Sequence, residues 1–132
     1  MTPEPGSPRD WLRFAQSDLA IAQMPATPPV LREALCFHAQ QAVEKSMKAI
    51  LILHRVDFPR THNLKLLYNL LKSVISLPPI LRDATELSDY AAQIRYPGDF
   101  EAESREDHER AVRLAQAVVE WAEKIIAEAE KK

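Results

Sequence analysis

Apolar residues recur along this chain at the three- and four-residue spacing of amphipathic helices. The longest patterns run from Leu31 to Leu53 and from Ala111 to Ala129, and no segment alternates apolar and polar residues long enough to predict a strand. Because proline is excluded from helix interiors, the gaps between helices should carry the prolines. All ten prolines and both glycines lie in five clusters: 3–8, 25–29, 59, 78–79 and 97–98.

These clusters divide the chain into five helical stretches, which predict an all-α fold, an up-down antiparallel bundle of about five helices. Two of the helices are long, at about 30–56 and 104–130. Residues 1–7 are predicted to form a flexible tail, and 8–132 a single helical domain. Ser7, Thr61 and Ser104 are the residues expected to cap the first, third and fifth helices.

The composition is that of a globular protein, with 46% hydrophobic residues and a net charge of −2. Cys36 is the only cysteine, no apolar run reaches the ~20 residues of a membrane span, and the start lacks a secretory signal. These features predict a cytoplasmic protein that is not inserted in a membrane. The four histidines form no pair at helical ligand spacing, and two glycines cannot build a phosphate loop, so neither a metal nor a cofactor is expected.

Charge is distributed unevenly. From Lys45 to Arg82 there are seven basic residues and one acid, whereas from Asp83 to Glu109 there are nine acids and two arginines. Such blocks are either solvated helix faces or a field that orients a charged ligand or partner. The negative total argues against indiscriminate nucleic-acid binding, and DNA is not expected as a ligand.

Four segments occur in a characteristic order. The first helix offers Trp11, Ala15 and Asp18-Leu19; the second has Gln41-Ala42-Val43-Glu44-Lys45 followed by Lys48-Ala49; His62-Asn63-Leu64 opens the third, and Arg95-Tyr96-Pro97 ends the fourth. In this order they resemble the HEPN family of small helical bundles, and the resemblance covers most of the chain.

The resemblance implies a bundle that pairs with itself and is often encoded beside a minimal nucleotidyltransferase. Many relatives are RNA-cleaving toxins neutralised by that partner, and others bind nucleotides or serve as interaction modules. The cleaving relatives carry an arginine and, after four to six residues, a histidine at the entrance to the last helix. Counted from Arg95, those positions hold Phe100, Glu101 and Ala102, which weakens the nuclease inference.

An up-down bundle would bring the end of the second helix, the start of the third, the end of the fourth and the start of the fifth to one pole. The predicted ligand-binding residues of that pole are Arg55, Arg60, His62, Arg95 and Tyr96. His62 and Arg95 are the candidate catalytic residues, as a base and a phosphate clamp. The structural alternatives are a helix-capping histidine, a loop-fixing arginine and a packed Tyr96 ring.

Three charged residues beside the apolar stripes are predicted to have a structural role: Asp18, Glu44 and Lys45. An Asp18–Lys45 or a Glu44–Arg95 pair would specify helix packing, since an unpaired charge there would be costly. Lys48 and His38 are expected at the surface or in an interface.

Three functions are compatible with these residues. The first is a homodimeric module in a toxin–antitoxin or nucleotide-linked system that pairs with a nucleotidyltransferase. The second is a metal-independent endoribonuclease that uses His62 and Arg95 on single-stranded RNA. The third is nucleotide binding without turnover at the same pole. The small and apolar positions of the second and fifth helices predict a two-fold interface along them.

Overall fold

The computed structural model describes residues 2–90 and 103–132. In these ranges the α-helices are α1 (Pro8–Ala22), α2 (Arg32–Leu53), α3 (Leu64–Lys72), α4 (Pro79–Ala84) and α5 (Arg105–Glu130), with a 3₁₀ helix at Thr85–Ser88. The described residues contain no strand, and the predicted all-α bundle is confirmed. Among them, none of the helices combines the length and the apolar character that a membrane crossing requires.

The starts of α1 and α5 are fixed by local hydrogen bonds. Ser7 Oγ accepts a hydrogen bond from the Asp10 N–H at 3.2 Å. Ser104 and Asp107 form a reciprocal capping box, in which each side chain accepts the backbone N–H of the other. The predicted caps at Ser7 and Ser104 are therefore confirmed.

The start of α3 differs from the prediction. Its N-cap is Asn63, whose Oδ1 accepts a hydrogen bond from the Leu66 N–H at 3.2 Å. Thr61 lies two residues earlier and accepts from the Asn63 N–H, so the prediction that Thr61 caps α3 is wrong. Both side chains belong to capping types, and only the path of the chain decides between them.

α2 is the central helix and contacts α1, α3, α5 and the 3₁₀ helix. From Ala39 to Leu51 every residue except Lys45 is buried. The apolar positions of α2 between Ala39 and Leu51 are thus covered within a single chain. The two-fold interface expected along the second and fifth helices stays a prediction.

α5 runs antiparallel to α1. Arg9, at the start of α1, forms an ion pair with Glu130 at the end of α5. At the opposite end of the bundle, His108 Nε2 lies 2.7 Å from the carbonyl oxygen of Ala22, the last residue of α1. These two contacts fix the direction of α5 over its whole length.

Because α1 is antiparallel to both long helices, α2 and α5 run parallel. The Glu103 N–H, just before α5, donates to Glu33 Oε1 in the first turn of α2 at 3.3 Å. The prediction that the start of the last helix joins the end of the second is therefore wrong. The acidic residues from Glu103 to Glu109 lie at the opposite end of α2 from its connection to α3.

One buried hydroxyl in α2 leads to a stability prediction. Ser46 is fully buried, and its Oγ has no hydrogen-bond partner in the described part of the chain. A desolvated hydroxyl without a partner is destabilising, and alanine has the higher helix propensity. Ser46→Ala should therefore raise the free energy of unfolding by about 1 kcal/mol. Urea denaturation checks this against Ser17→Ala, an exposed position where only helix propensity changes.

Candidate functional site

A group of polar side chains occupies the α3-facing side of α2. We call it the α2 polar cluster, and it consists of Gln40, Gln41, Glu44 and Lys48 of α2 together with His62. The other three α2 members are each three or four residues from Glu44, so one helix face presents them together. All four are buried, whereas His62 approaches from the connection between α2 and α3.

Glu44 is the centre of this cluster. Its Oε1 accepts hydrogen bonds from Gln40 Nε2 at 3.1 Å and from Gln41 Nε2 at 3.3 Å, and it lies 2.7 Å from His62 Nδ1. Its Oε2 accepts from Lys48 Nζ at 2.9 Å. A buried carboxylate is tolerated only when charge and hydrogen bonds compensate for lost water, and these four partners supply both.

Lys48 is buried within the chain, which contradicts the prediction that it lies at the surface or in an interface. In addition to Glu44, its Nζ donates to the carbonyl oxygen of Thr61 at 3.1 Å. The ammonium also lies 5.7 Å from the Trp11 ring centre and 5.6 Å from that of Phe58, and the two rings meet edge to face. Lys48 therefore connects α1, α2 and the α2–α3 connection, and its charge is already neutralised.

The same contacts determine the ionisation of Glu44. Burial acts to raise the pKa of this carboxyl, but the hydrogen bonds from Lys48 and His62 outweigh burial, and the pKa lies below its ordinary value of 4.5. Glu44 is therefore ionised at neutral pH and provides a fixed negative charge beneath the His62 ring.

His62 lies at the boundary between this cluster and solvent. Its side chain is 42% exposed, and its backbone carbonyl oxygen accepts a hydrogen bond from Gln40 Nε2 at 3.3 Å. The contact is made through Nδ1, so the Glu44 carboxylate fixes the orientation of the imidazole ring. A buried carboxylate that fixes one nitrogen of a histidine is an arrangement that suits proton transfer at the other.

The two predicted arginines of the α2–α3 connection are exposed. Arg55 lies two residues after the end of α2 and adopts the left-handed conformation, with φ of 58°, while the Val56 N–H donates back to the Leu51 carbonyl oxygen. Arg60 lies two residues before His62. Arg95 and Tyr96 fall outside the described residues, as does the Arg95 side of the expected Glu44–Arg95 pair.

A second ionic group joins α1 to α2. Asp18 is buried; its Oδ2 accepts from Lys45 Nζ at 2.6 Å, and its Oδ1 lies 2.9 Å from His38 Nδ1. Lys45 also lies 5.8 Å from the centre of the Phe14 ring. Since the carboxylate is engaged from both sides, this group acts as a packing contact between the two helices.

Thiol and metal chemistry receive little support from the described residues. Burial raises the pKa of the Cys36 thiol to about 12, so the reactive thiolate is scarce at neutral pH. Within residues 2–90 and 103–132, no group of three or more histidine, cysteine or acidic side chains is arranged to hold a metal ion.

The sequence does not predict Gln40, Gln41 and Lys48 as members of the α2 polar cluster. Their spacing around Glu44 is a visible signal, since Glu44 and Lys48 form an i,i+4 pair of the favourable orientation. Such pairs normally lie on solvated helix faces. Only the tertiary fold shows that the α2–α3 connection covers the Glu44–Lys48 pair.

Comparisons with known proteins agree with this architecture. The model of the HEPN domain matches residues 8–125. The chain belongs to the HEPN family. Among solved structures, TT1696 from Thermus thermophilus is 31% identical, with a TM-score of 0.70 over 89% of this chain and 96% of that one. ST0689, described as an archaeal HEPN homologue, is 25% identical, with a TM-score of 0.67 over 91% and 98%. Among curated proteins, none matches the chain.

Family membership confirms the resemblance stated from the ordered motifs. This HEPN domain carries its most specific motif, residues 41–49, on the buried central helix, where two of its charged residues form the core of the polar cluster. The residues that carry the resemblance therefore take part in the internal packing of α2.

Proposed function

We propose that this HEPN chain is a homodimeric module of a toxin–antitoxin or nucleotide-linked system. In this proposal it pairs with a small nucleotidyltransferase and binds the phosphate groups of a nucleotide or of single-stranded RNA beside His62. The observation that supports it is the half-exposed His62 ring, held 2.7 Å from the buried Glu44 carboxylate on a connection that also carries the exposed Arg55 and Arg60.

The chemistry of this connection favours an anion. Lys48 is neutralised within the cluster, so the cations that a phosphate would meet are the guanidinium groups of Arg55 and Arg60, whose planar forks suit phosphate oxygens. The Glu44 carboxylate is buried and saturated with donors, which limits its repulsion of a ligand at the surface. Arg95 and Tyr96 are proposed to complete the site.

Equilibrium binding of ATP, GTP and a labelled single-stranded RNA tests this site. Arg60→Ala and His62→Ala should each weaken binding by about tenfold, the effect of one charged contact to phosphate. Arg13→Ala, an exposed arginine of α1 paired with Asp10, is the matched control and should leave affinity unchanged. Equal weakening by all three variants would indicate diffuse attraction, and the absence of binding to all three ligands at millimolar concentration would contradict the site.

The partner is tested separately, by co-expression with a minimal nucleotidyltransferase encoded beside this chain. A complex that survives size-exclusion chromatography, with twofold stoichiometry of the HEPN chain, is the expected result. A strictly monomeric HEPN chain that forms no such complex would contradict the pairing without affecting the ligand site.

A second candidate function is a metal-independent endoribonuclease. The Glu44–His62 contact specifically favours it, because a buried carboxylate that holds the imidazole ring in place is an arrangement that suits a general base. His62 would take the proton of a ribose 2′-hydroxyl as that oxygen bonds to phosphorus. The bond to the 5′-oxygen would break, that oxygen would gain a proton from solvent, and Arg95 would stabilise the added negative charge.

A further inference from the structure

A small pocket lies between the first half of α1 and α2. Within the described part of the chain it is lined by Gly6, Asp10, Trp11, Phe14 and Lys45, and its volume is about 200 Å³. We call this pocket the α1 slot. Trp11 and Phe14 are three residues apart on α1, so one face of that helix presents both aromatic rings. Phe14 is 49% exposed, so its ring is accessible to a ligand that enters the slot.

The charged groups that border the α1 slot are already engaged. Lys45 Nζ donates to Asp18 Oδ2 at 2.6 Å. The Asp10 carboxylate accepts from the Gly6 N–H at 3.0 Å and from the Arg13 guanidinium at 2.9 Å. A pocket with two aromatic walls and paired charges at its border favours an uncharged flat ring, which can stack without breaking an ion pair.

The volume of the α1 slot limits what can enter it. Sites that enclose a drug-sized ligand measure about 300–1,000 Å³. At about 200 Å³, the slot accommodates one heteroaromatic ring system but not a whole nucleotide. Nucleobases meet this description, since each has a flat π-face that stacks on aromatic side chains whatever its hydrogen-bonding edge.

The α1 slot lies close to the proposed phosphate site. The Trp11 ring meets the Phe58 ring edge to face, with 6.3 Å between their centres. Phe58 precedes Arg60 by two residues, which is at most about 7 Å of chain. Lys48 Nζ, 5.7 Å from the centre of the same Trp11 ring, donates to the carbonyl oxygen of Thr61 at 3.1 Å. These short links bring the slot within reach of a nucleotide bound at the α2–α3 connection.

We propose that the α1 slot holds the base of a nucleotide whose phosphates lie beside Arg60 and His62. The inference rests on the proposed phosphate site and extends it by assigning the base. An aromatic side chain of a partner protein would fit the same volume, but a base is covalently joined to phosphates, and the slot lies next to the cations that would bind them. Because stacking does not read the edge of a base, adenine and guanine should bind alike.

Inorganic tripolyphosphate and ATP separate the base from the phosphates in a calorimetric titration of the full chain. ATP should bind about tenfold more tightly than tripolyphosphate, the contribution of one stacked base. Phe14→Ala should lower the affinity for ATP by about tenfold and leave the affinity for tripolyphosphate unchanged. Phe14→Trp, which keeps a stacking face, should retain the preference for ATP. Arg60→Ala should instead weaken both ligands to the same extent.

Trp11 provides a direct signal from the slot. The chain has two tryptophans, so Trp121→Phe leaves Trp11 as the remaining one. In this variant ATP should quench the tryptophan emission because the base stacks beside the indole ring, whereas tripolyphosphate should not.

Met24→Ala is the matched control, since Met24 is 51% exposed but lies beyond the other end of α1. It should leave both affinities unchanged. Arg13 lies 4.8 Å from the centre of the Phe14 ring but does not line the slot, so Arg13→Ala should also leave ATP binding unchanged.

Equal affinities of the wild type for ATP and tripolyphosphate would overturn the α1 slot and leave the phosphate site in place. The same conclusion follows if Phe14→Ala binds ATP like the wild type, if it loses both ligands equally, or if Trp11 emission does not change as ATP binds. Quenching of Trp11 by a bound partner protein but not by ATP would assign the slot to a side chain of that partner. If neither ligand binds, the phosphate site falls and the slot falls with it.

Discussion

Glu44→Ala is expected to lower the free energy of unfolding by about 3–5 kcal/mol, the cost of removing one partner of a buried ion pair. The variant leaves the Lys48 ammonium buried with only the Thr61 carbonyl oxygen and two aromatic rings around it. It also removes one of the acceptors of Gln40 and of Gln41 and the carboxylate that faces His62 Nδ1. Uncompensated buried charge is among the most destabilising defects known in proteins.

Urea denaturation followed by circular dichroism measures this loss. The matched control is Glu109→Ala on α5, whose carboxylate is exposed and pairs with Arg105 at 3.8 Å. Removal of that exposed pair should change stability by less than about 0.5 kcal/mol. A loss below about 1 kcal/mol in Glu44→Ala would mean that the polar cluster is solvated in solution.

The pH dependence of the free energy of unfolding tests the ionisation of Glu44 independently. Burial raises the pKa of Glu44, but hydrogen bonds from Lys48 and His62 lower it by more, so the pKa in the folded state lies below 4.5. The carboxylate therefore makes its full contribution to the free energy of unfolding at pH values above about 4.5. That contribution is lost as pH falls through the lower folded pKa. The stability gap between wild type and Glu44→Gln should therefore be constant near neutrality and shrink in acid. A gap that does not change down to about pH 3 would contradict this.

The second large effect concerns activity. If the chain cleaves single-stranded RNA, His62→Ala should reduce the rate by about 10²–10⁴-fold, the contribution of a positioned general base. His54→Ala is the matched control, because His54 is an exposed histidine at the C-cap of α2 on the same connection. Cleavage that persists in a metal chelator would agree with a metal-independent mechanism.

The outcomes separate the two proposed functions. RNA binding without cleavage by the wild type supports the interaction module and removes the nuclease. Cleavage that is unchanged in His62→Ala or in Arg95→Ala removes the role proposed for that residue. Loss of cleavage in His62→Ala with unaltered thermal unfolding supports the general base.

Local features of the fold could be predicted from the sequence because their causes are local. Proline clusters delimit the helices, and Ser7 and Ser104 cap them through residues three positions away. The end of α2 was less predictable: the helix stops at Leu53, with Arg55 in the left-handed conformation that glycine usually adopts. An arginine at position 55 does not predict a left-handed turn.

Long-range features required the structure. The direction of α5 is shown by the contacts of His108 with Ala22 and of Glu103 with Glu33, and sequence order alone does not specify it. The partners of Glu44 depend on which face of α2 the α2–α3 connection covers. For the same reason Lys48 is buried although the sequence places it at the surface or in an interface. The predicted Asp18–Lys45 pair, in contrast, forms between α1 and α2.

The central claim is that Glu44 holds Lys48 and His62 in one buried cluster, and a double-mutant cycle between Glu44 and Lys48 tests it most directly. Glu44→Ala, Lys48→Met and the double variant are compared by urea denaturation. The account predicts a coupling of at least about 1.5 kcal/mol, with the double variant more stable than the sum of the single losses implies. Additivity within about 0.3 kcal/mol would contradict it, since side chains that do not interact give independent losses.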